Sequence, residues 1–141
     1  MSTRSLIAYQ SEAGFVESAY CHFDGYISGV GSMLDKNYQD EKKIRELIQR
    51  GDFSSLCPNI GEIKFYEPLH KVVVNCHNSE WGFVDSAEPL YHEYLYLFKE
   101  GYWYVSESKS LEVKDGFEER VYYYSKFEPL SKALFKLGEV A

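Results

Sequence analysis

The chain has 141 residues, a size typical of one domain and long enough to bury roughly two-thirds of its unfolded surface. Its formal charge is −7, from 22 acidic and 15 basic residues, which argues against direct nucleic-acid binding because that needs lysines and arginines to displace counterions from phosphates. No apolar run approaches the 18 residues of a membrane span, and Met1–Ser5 is followed by no hydrophobic signal region, so a protein that stays where it is made is expected. Cys21, Cys57 and Cys76 are odd in number and widely spaced, which fits free thiols in a reducing compartment. The aromatic share, 17%, is high, and two readings of it stand open: a binding surface rich in Tyr, or an aromatic sheet core.

In chain order, residues 4–10 and 15–23 are rich in β-formers and flank a turn at Gly14, so a β-hairpin is predicted. Three glycines, Gly25, Gly29 and Gly31, open a short helix whose face carries Ile27, Val30, Leu34 and Tyr38. A second helix is expected behind Asp40 as its cap, with Ile44, Leu47 and Ile48 as its apolar stripe and Gly51 as its stop. Pro58, Gly61 and Pro68 mark a loop-rich middle, with short strands expected at Ile63–Tyr66 and Lys71–Asn75.

Residues 93–106 read as the strongest hairpin, turning at Lys99-Glu100-Gly101. Alternation puts Tyr94, Tyr96 and Phe98 on one face of the first strand and Leu95 and Leu97 on the other. If Leu95, Leu97, Trp103 and Val105 face the core, then Tyr94, Tyr96, Phe98, Tyr102 and Tyr104 form an aromatic patch. Such a patch is expected to be covered by a partner, by a second copy in a homodimer, or by the chain's own C-terminal half. Another strand is expected at Arg120–Tyr124 after a turn at Asp115-Gly116. A helix from Pro129 then carries Leu130, Ala133, Leu134 and Leu137 and ends at Gly138. No repeat or linker divides the chain. The expected fold is one α+β domain over residues 1–141, an antiparallel sheet with about three helices packed mainly on one face.

Each candidate for chemistry meets a structural counter-reading. Tyr20-Cys21-His22-Phe23-Asp24-Gly25-Tyr26 offers a thiol beside an imidazole, but neighbouring strand residues point to opposite faces, so Cys21 and His22 do not converge. Cys21 is expected to pack as a small hydrophobe and Asp24 to cap the helix that follows. Tyr20, His22, Asp24 and Tyr26 remain candidate ligand contacts. Cys76-His77 lacks the ligand-pair spacing of structural zinc, so no metal site and no cofactor are expected. The glycines of 25–31 match no nucleotide-loop pattern, and close packing against the sheet is the favoured reading. Asp52-Phe53-Ser54-Ser55-Leu56 reads as a turn satisfied by its own side chains.

Several strings resemble a family of small bacteriophage and prophage proteins. They are Met1 to Ser5, Tyr20 to Tyr26, the Gly-Val-Gly of Gly29 to Gly31, and Gly-Asp-Phe-Ser-Ser-Leu from Gly51 to Leu56. The resemblance covers about 55 residues and implies a phage or prophage protein at work in the cytoplasm of a bacterial host. It supplies no reaction. Its context implies a non-enzymatic accessory protein that binds and inhibits a host defence protein, of the anti-CRISPR or anti-restriction kind. The alternative it leaves is a sponge for a nucleotide signal.

Overall fold

The computed structural model describes residues 2–114 and 118–138. Strands β1 (Ser5–Gln10) and β2 (Val16–Cys21) form the predicted hairpin, and β3 (Asn75–His77) pairs with the outer edge of β2. On the other side of β1 run β4 (Tyr94–Lys99), β5 (Tyr102–Lys114) and β6 (Glu118–Tyr124), giving the order β3-β2-β1-β4-β5-β6. A two-residue strand, β7 (Glu128–Pro129), pairs with β5. The sheet is mixed rather than purely antiparallel, because β1 and β4 run parallel with Ile7 beside Tyr96. The long crossover between β2 and β4 returns the chain to the same end of the sheet, which is what a parallel neighbour requires.

Helices pack on both faces of the sheet. On one lie α1 (Ser32–Asn37), α2 (Glu41–Gln49) and α4 (Leu130–Lys136), which bury Leu34, Ile44, Leu47, Ile48, Leu130 and Leu134 against Ile7, Ala19, Tyr96, Phe98, Trp103 and Val105. These are the three helices the sequence predicts, on one face as expected. The opposite face holds a smaller core of Leu6, Ala8, Val16, Leu95 and Leu97 under a fourth helix, α3 (Glu80–Ser86), through Phe83 and Ala87. Sequence periodicity misses α3 because it carries Gly82 in its middle and buries only Phe83 of its own length, so it shows no apolar stripe. Its start does have a signal: the Ser79 side chain accepts from the Gly82 N–H at 3.0 Å.

Local chemistry explains the other elements. Asp40 caps α2 by accepting from the Lys42 N–H at 3.1 Å, and Gly51 follows the helix at φ 88°. Ile27–Gly31 makes a wide π turn leading into α1. Asp24 does not cap this turn. It sits at φ 56°, and its backbone carbonyl accepts from the Val30 N–H at 2.8 Å. Of the two short strands expected in the middle, the first is reduced to a single bridge between Phe53 and Phe65, and the second lies further on, as β3. The Asp115-Gly116 turn falls outside the described residues.

The β4–β5 turn corrects the expected aromatic patch. Lys99 pairs with Tyr102, so the loop is the two residues Glu100 and Gly101, at φ 52° and 86°, the positive values a type I′ hairpin needs. Tyr96 is then opposite Val105 and Phe98 opposite Trp103, and all four enter the larger core. Tyr102 and Tyr104 lie on the other face with Leu97 and Lys99. The chain's own helices cover Tyr96 and Phe98, and the five aromatics do not share a surface.

Candidate functional site

The segment from Tyr20 to Tyr26 divides between two places. Tyr20, in β2, points to the face of the smaller core, whereas Cys21 is fully buried on the other. The Cys21 thiol lies 3.4 Å from the Phe23 carbonyl, and burial pushes its pKa up to about 12, so it is a packed group and a poor nucleophile. His22 is tied to Tyr20, its Nδ1 lying 2.7 Å from the Tyr20 hydroxyl, and its Nε2 lies 3.1 Å from Ser2 Oγ. Asp24 and Tyr26 are exposed and bonded to each other, Tyr26 Oη donating to Asp24 at 3.2 Å. They line a separate cleft of about 310 Å³ with Phe23, Met33 and Lys36. The glycines beside them serve close packing. A Cβ at Gly29 would stand 2.3 Å from the Asp24 carbonyl oxygen, and one at Gly31 would meet Leu130 and Tyr96.

Tyr20 belongs to an aromatic cluster assembled from distant parts of the chain. Tyr91 stacks on it with ring centroids 6.0 Å apart, and His92 meets it edge-on at 5.9 Å. The Arg4 guanidinium sits 4.4 Å over the Tyr91 ring. Asp52 joins because Phe53 adds a one-residue bridge to β2. Phe53 N–H donates to the Tyr20 carbonyl at 2.9 Å, and the Tyr20 N–H donates to Asp52 Oδ1 at 2.9 Å. Asp52 is therefore an anchor between loop and strand, not part of a turn closed on itself.

A cavity of about 400 Å³ opens beside this cluster. Leu6 and Ser18 belong to its sheet side, Tyr20, Tyr91, His77 and His92 supply ring surface, and Asp52 and Asn75 supply polar groups. His92 Nδ1 accepts from the Glu88 N–H at 3.2 Å, which leaves the proton of the neutral ring on Nε2. Burial lowers the pKa of both His77 and His92 and so favours their neutral forms. The lining contains one carboxylate and no lysine or arginine. Nothing in the local sequence around Tyr91 or Asp52 signals the cavity; the Phe53 bridge to β2 brings Asp52 to Tyr20, and the loop ahead of β4 brings Tyr91.

The remaining candidates sit elsewhere. Tyr94 is half-buried and stacks on Tyr96 at 6.4 Å, Tyr104 is half-buried, and Tyr102 is exposed. More conspicuous is the ribbon made where β5 and β6 continue past β4. Leu111 pairs with Val121, Lys109 with Tyr123 and Val113 with Glu119, so the apolar Leu111, Val113, Val121 and Tyr123 share one face with Lys109 and Glu119. All four are exposed, at 59%, 37%, 46% and 45% respectively, while the reverse face presents Ser110, Glu112, Arg120 and Tyr122. The sequence reading ends the hairpin at residue 106 and expects the strand at Arg120–Tyr124, now β6, but gives it no partner and so misses the ribbon. The alternation Lys109, Leu111, Val113 was the available signal.

Among the described residues no group of three or more His, Cys, Asp or Glu side chains is placed to hold a metal ion, and no helix is long and apolar enough to cross a membrane. Compared with models of known protein families, with curated proteins and with solved structures, the chain finds no match in any of the three.

Proposed function

We propose that this chain is a phage or prophage accessory protein that acts in a bacterial cytoplasm by binding, without catalysis, and disarms a protein of the host's defence. The observation that carries the binding reading is the β5–β6 ribbon. One face carries an exposed apolar patch of Leu111, Val113, Val121 and Tyr123 between Lys109 and Glu119, the other face is mostly polar, and no element among the described residues covers the patch. Small monomers rarely leave such a contiguous patch open to water, and an apolar face rimmed by polar side chains is what protein interfaces present. The inert, buried Cys21 and its separation from His22 support binding over nucleophilic chemistry. The link to phages and to host defence comes from the sequence resemblance.

The nucleotide-sponge reading has weaker support. One cleft holds Lys109, Lys126 and Lys136, but Lys109 pairs with Glu107 and Lys136 with Glu128, leaving little positive charge for phosphates. The test is capture from a bacterial host lysate with wild type and with Leu111→Asp/Val121→Asp, followed by reconstitution of binding and inhibition with the purified partner. A defence protein bound and inhibited by wild type and released by the variant supports the proposal. A co-purified nucleotide with no protein, or a wild-type dimer that the variant dissociates without any host partner, overturns it.

A further inference from the structure

We propose that the cavity between Tyr20, Tyr91, His92 and Asp52 is a receptor for a guanidinium group, in the protein's normal setting an arginine side chain presented by a protein partner. Four features converge. The walls offer ring surface from two tyrosines and two imidazoles, and planar guanidinium stacks on such surfaces better than the more strongly hydrated ammonium does. The single charged group of the lining is the Asp52 carboxylate. Its Oδ1 is already placed by the Tyr20 N–H, and among the described residues no cation pairs with it. A fixed carboxylate beside aromatic walls is matched by a flat cation that both stacks and donates two parallel hydrogen bonds.

The surrounding charge has the same sign preference. Besides burial, which lowers its pKa, His92 feels two carboxylates, Glu88 and Asp52, and one guanidinium, Arg4, so acidic groups outnumber basic ones around it. The molecule as a whole carries −7, which favours approach of a cationic segment. One of these rings already accepts such a group within the fold, since Arg4 lies 4.4 Å over Tyr91 while remaining outside the cavity lining. Two other ligand chemistries fit less well. An anion finds no cation in the lining, and a metal ion finds no cluster of ligands.

The source of the arginine rests on the reading of this chain as a protein binder, but the cavity lies apart from the β5–β6 ribbon and can be tested alone. The probe is N-acetyl-arginine-methylamide, titrated into the ¹⁵N-labelled protein and followed by amide shifts. Saturable shifts are expected at residues around Tyr20, Asp52, Tyr91 and His92. The neutral isostere N-acetyl-citrulline-methylamide should bind at least tenfold more weakly. Asp52→Asn keeps the oxygen that accepts the Tyr20 N–H, so it should retain its melting temperature while losing at least tenfold in affinity for the arginine probe. Tyr20→Leu gives a second variant that removes ring surface and should weaken binding in the same assay. Equal binding of arginine and citrulline probes, unchanged affinity in folded Asp52→Asn, or tighter binding of guanosine than of the arginine probe at these residues would each overturn the proposal. Loss of ribbon-dependent capture with arginine binding intact would instead count against the proposed function alone.

Discussion

Tyr96 lies directly opposite Val105 in the β4–β5 hairpin, and from that central position its hydroxyl donates to the Gly25 carbonyl at 2.6 Å. One side chain thus ties the middle of the sheet to the glycine-rich segment that carries Asp24 and Tyr26. Tyr96→Phe keeps the ring and leaves the Gly25 carbonyl without this donor, which is expected to cost about 1–3 kcal/mol. Tyr96→Glu should unfold the protein, since Tyr96 is fully buried. Urea denaturation of Tyr96→Phe and circular dichroism of Tyr96→Glu check both. A folded Tyr96→Glu would mean that this position faces a surface after all.

Leu134 is central to the packing of α4, with Leu130 and Ala133 buried on the same stripe. Leu134→Ala is expected to destabilise by about 2–5 kcal/mol. A melting temperature within error of wild type would contradict the packing of α4 against Val105 and its neighbours.

These two positions also show how far the sequence can be read. α2 and α4 are legible because their apolar stripes recur at helical spacing over two turns between a cap or proline and a glycine. α3, with as many residues as α4, is not legible, because it buries only Phe83 of its own length and shows no apolar stripe. The β4–β5 hairpin is legible as a hairpin, yet its loop length sets which residues share a face. Counting Lys99 into the turn moves Tyr102 and Tyr104 to the wrong side of the sheet. The Tyr20 cavity was half visible. The concentration of functional side chains around Tyr20 and His22 is local, but Asp52, Tyr91 and Arg4 reach it only through a bridge, a loop and a parallel strand pairing.

The three free thiols should react in the order of their accessibility. Cys76 is exposed, Cys57 intermediate and Cys21 buried, with its thiol pushed up to about 12 by desolvation. Under native conditions at pH 8, iodoacetamide should label Cys76 first and leave Cys21 unmodified until the protein unfolds, as read by peptide mass spectrometry. Cys21→Ser is expected to leave binding activity within a few-fold. Rapid native labelling of Cys21, or complete loss of binding in a folded Cys21→Ser, would reopen a chemical role for it.

His77 and His92 make stability depend on pH. Burial lowers their pKa below the ordinary 6.5, so at acidic pH the unfolded chain binds more protons than the folded one. Their contribution is therefore fully present above about 6.5 and declines as pH falls from there through the lowered folded values. Urea midpoints should drop between pH 7.5 and pH 5. His92→Asn, which retains an acceptor for the Glu88 N–H, should flatten part of that slope. An unchanged slope in His92→Asn would show that His92 does not titrate differently in the two states.

Gly29 provides the sharpest steric test of the segment that joins β2 to α1. A Cβ there would stand 2.3 Å from the Asp24 carbonyl oxygen and 2.9 Å from the Tyr26 ring, and the first of these is backbone that cannot rotate away. That carbonyl also accepts the Val30 N–H at 2.8 Å, so relieving the clash breaks the bond that holds the turn into α1. Gly29→Ala is expected to cost about 3 kcal/mol, the upper part of the range for overpacking. Gly61→Ala is the matched control, because its added Cβ would meet nothing within 4 Å, and it should change stability by less than about 0.5 kcal/mol. If the glycines of 25–31 were instead kept for an anion held by backbone N–H groups, Gly29→Ala would impair ligand binding while the melting temperature stayed near that of Gly61→Ala. Close packing requires the opposite, a lowered melting temperature in Gly29→Ala whether or not any ligand is added.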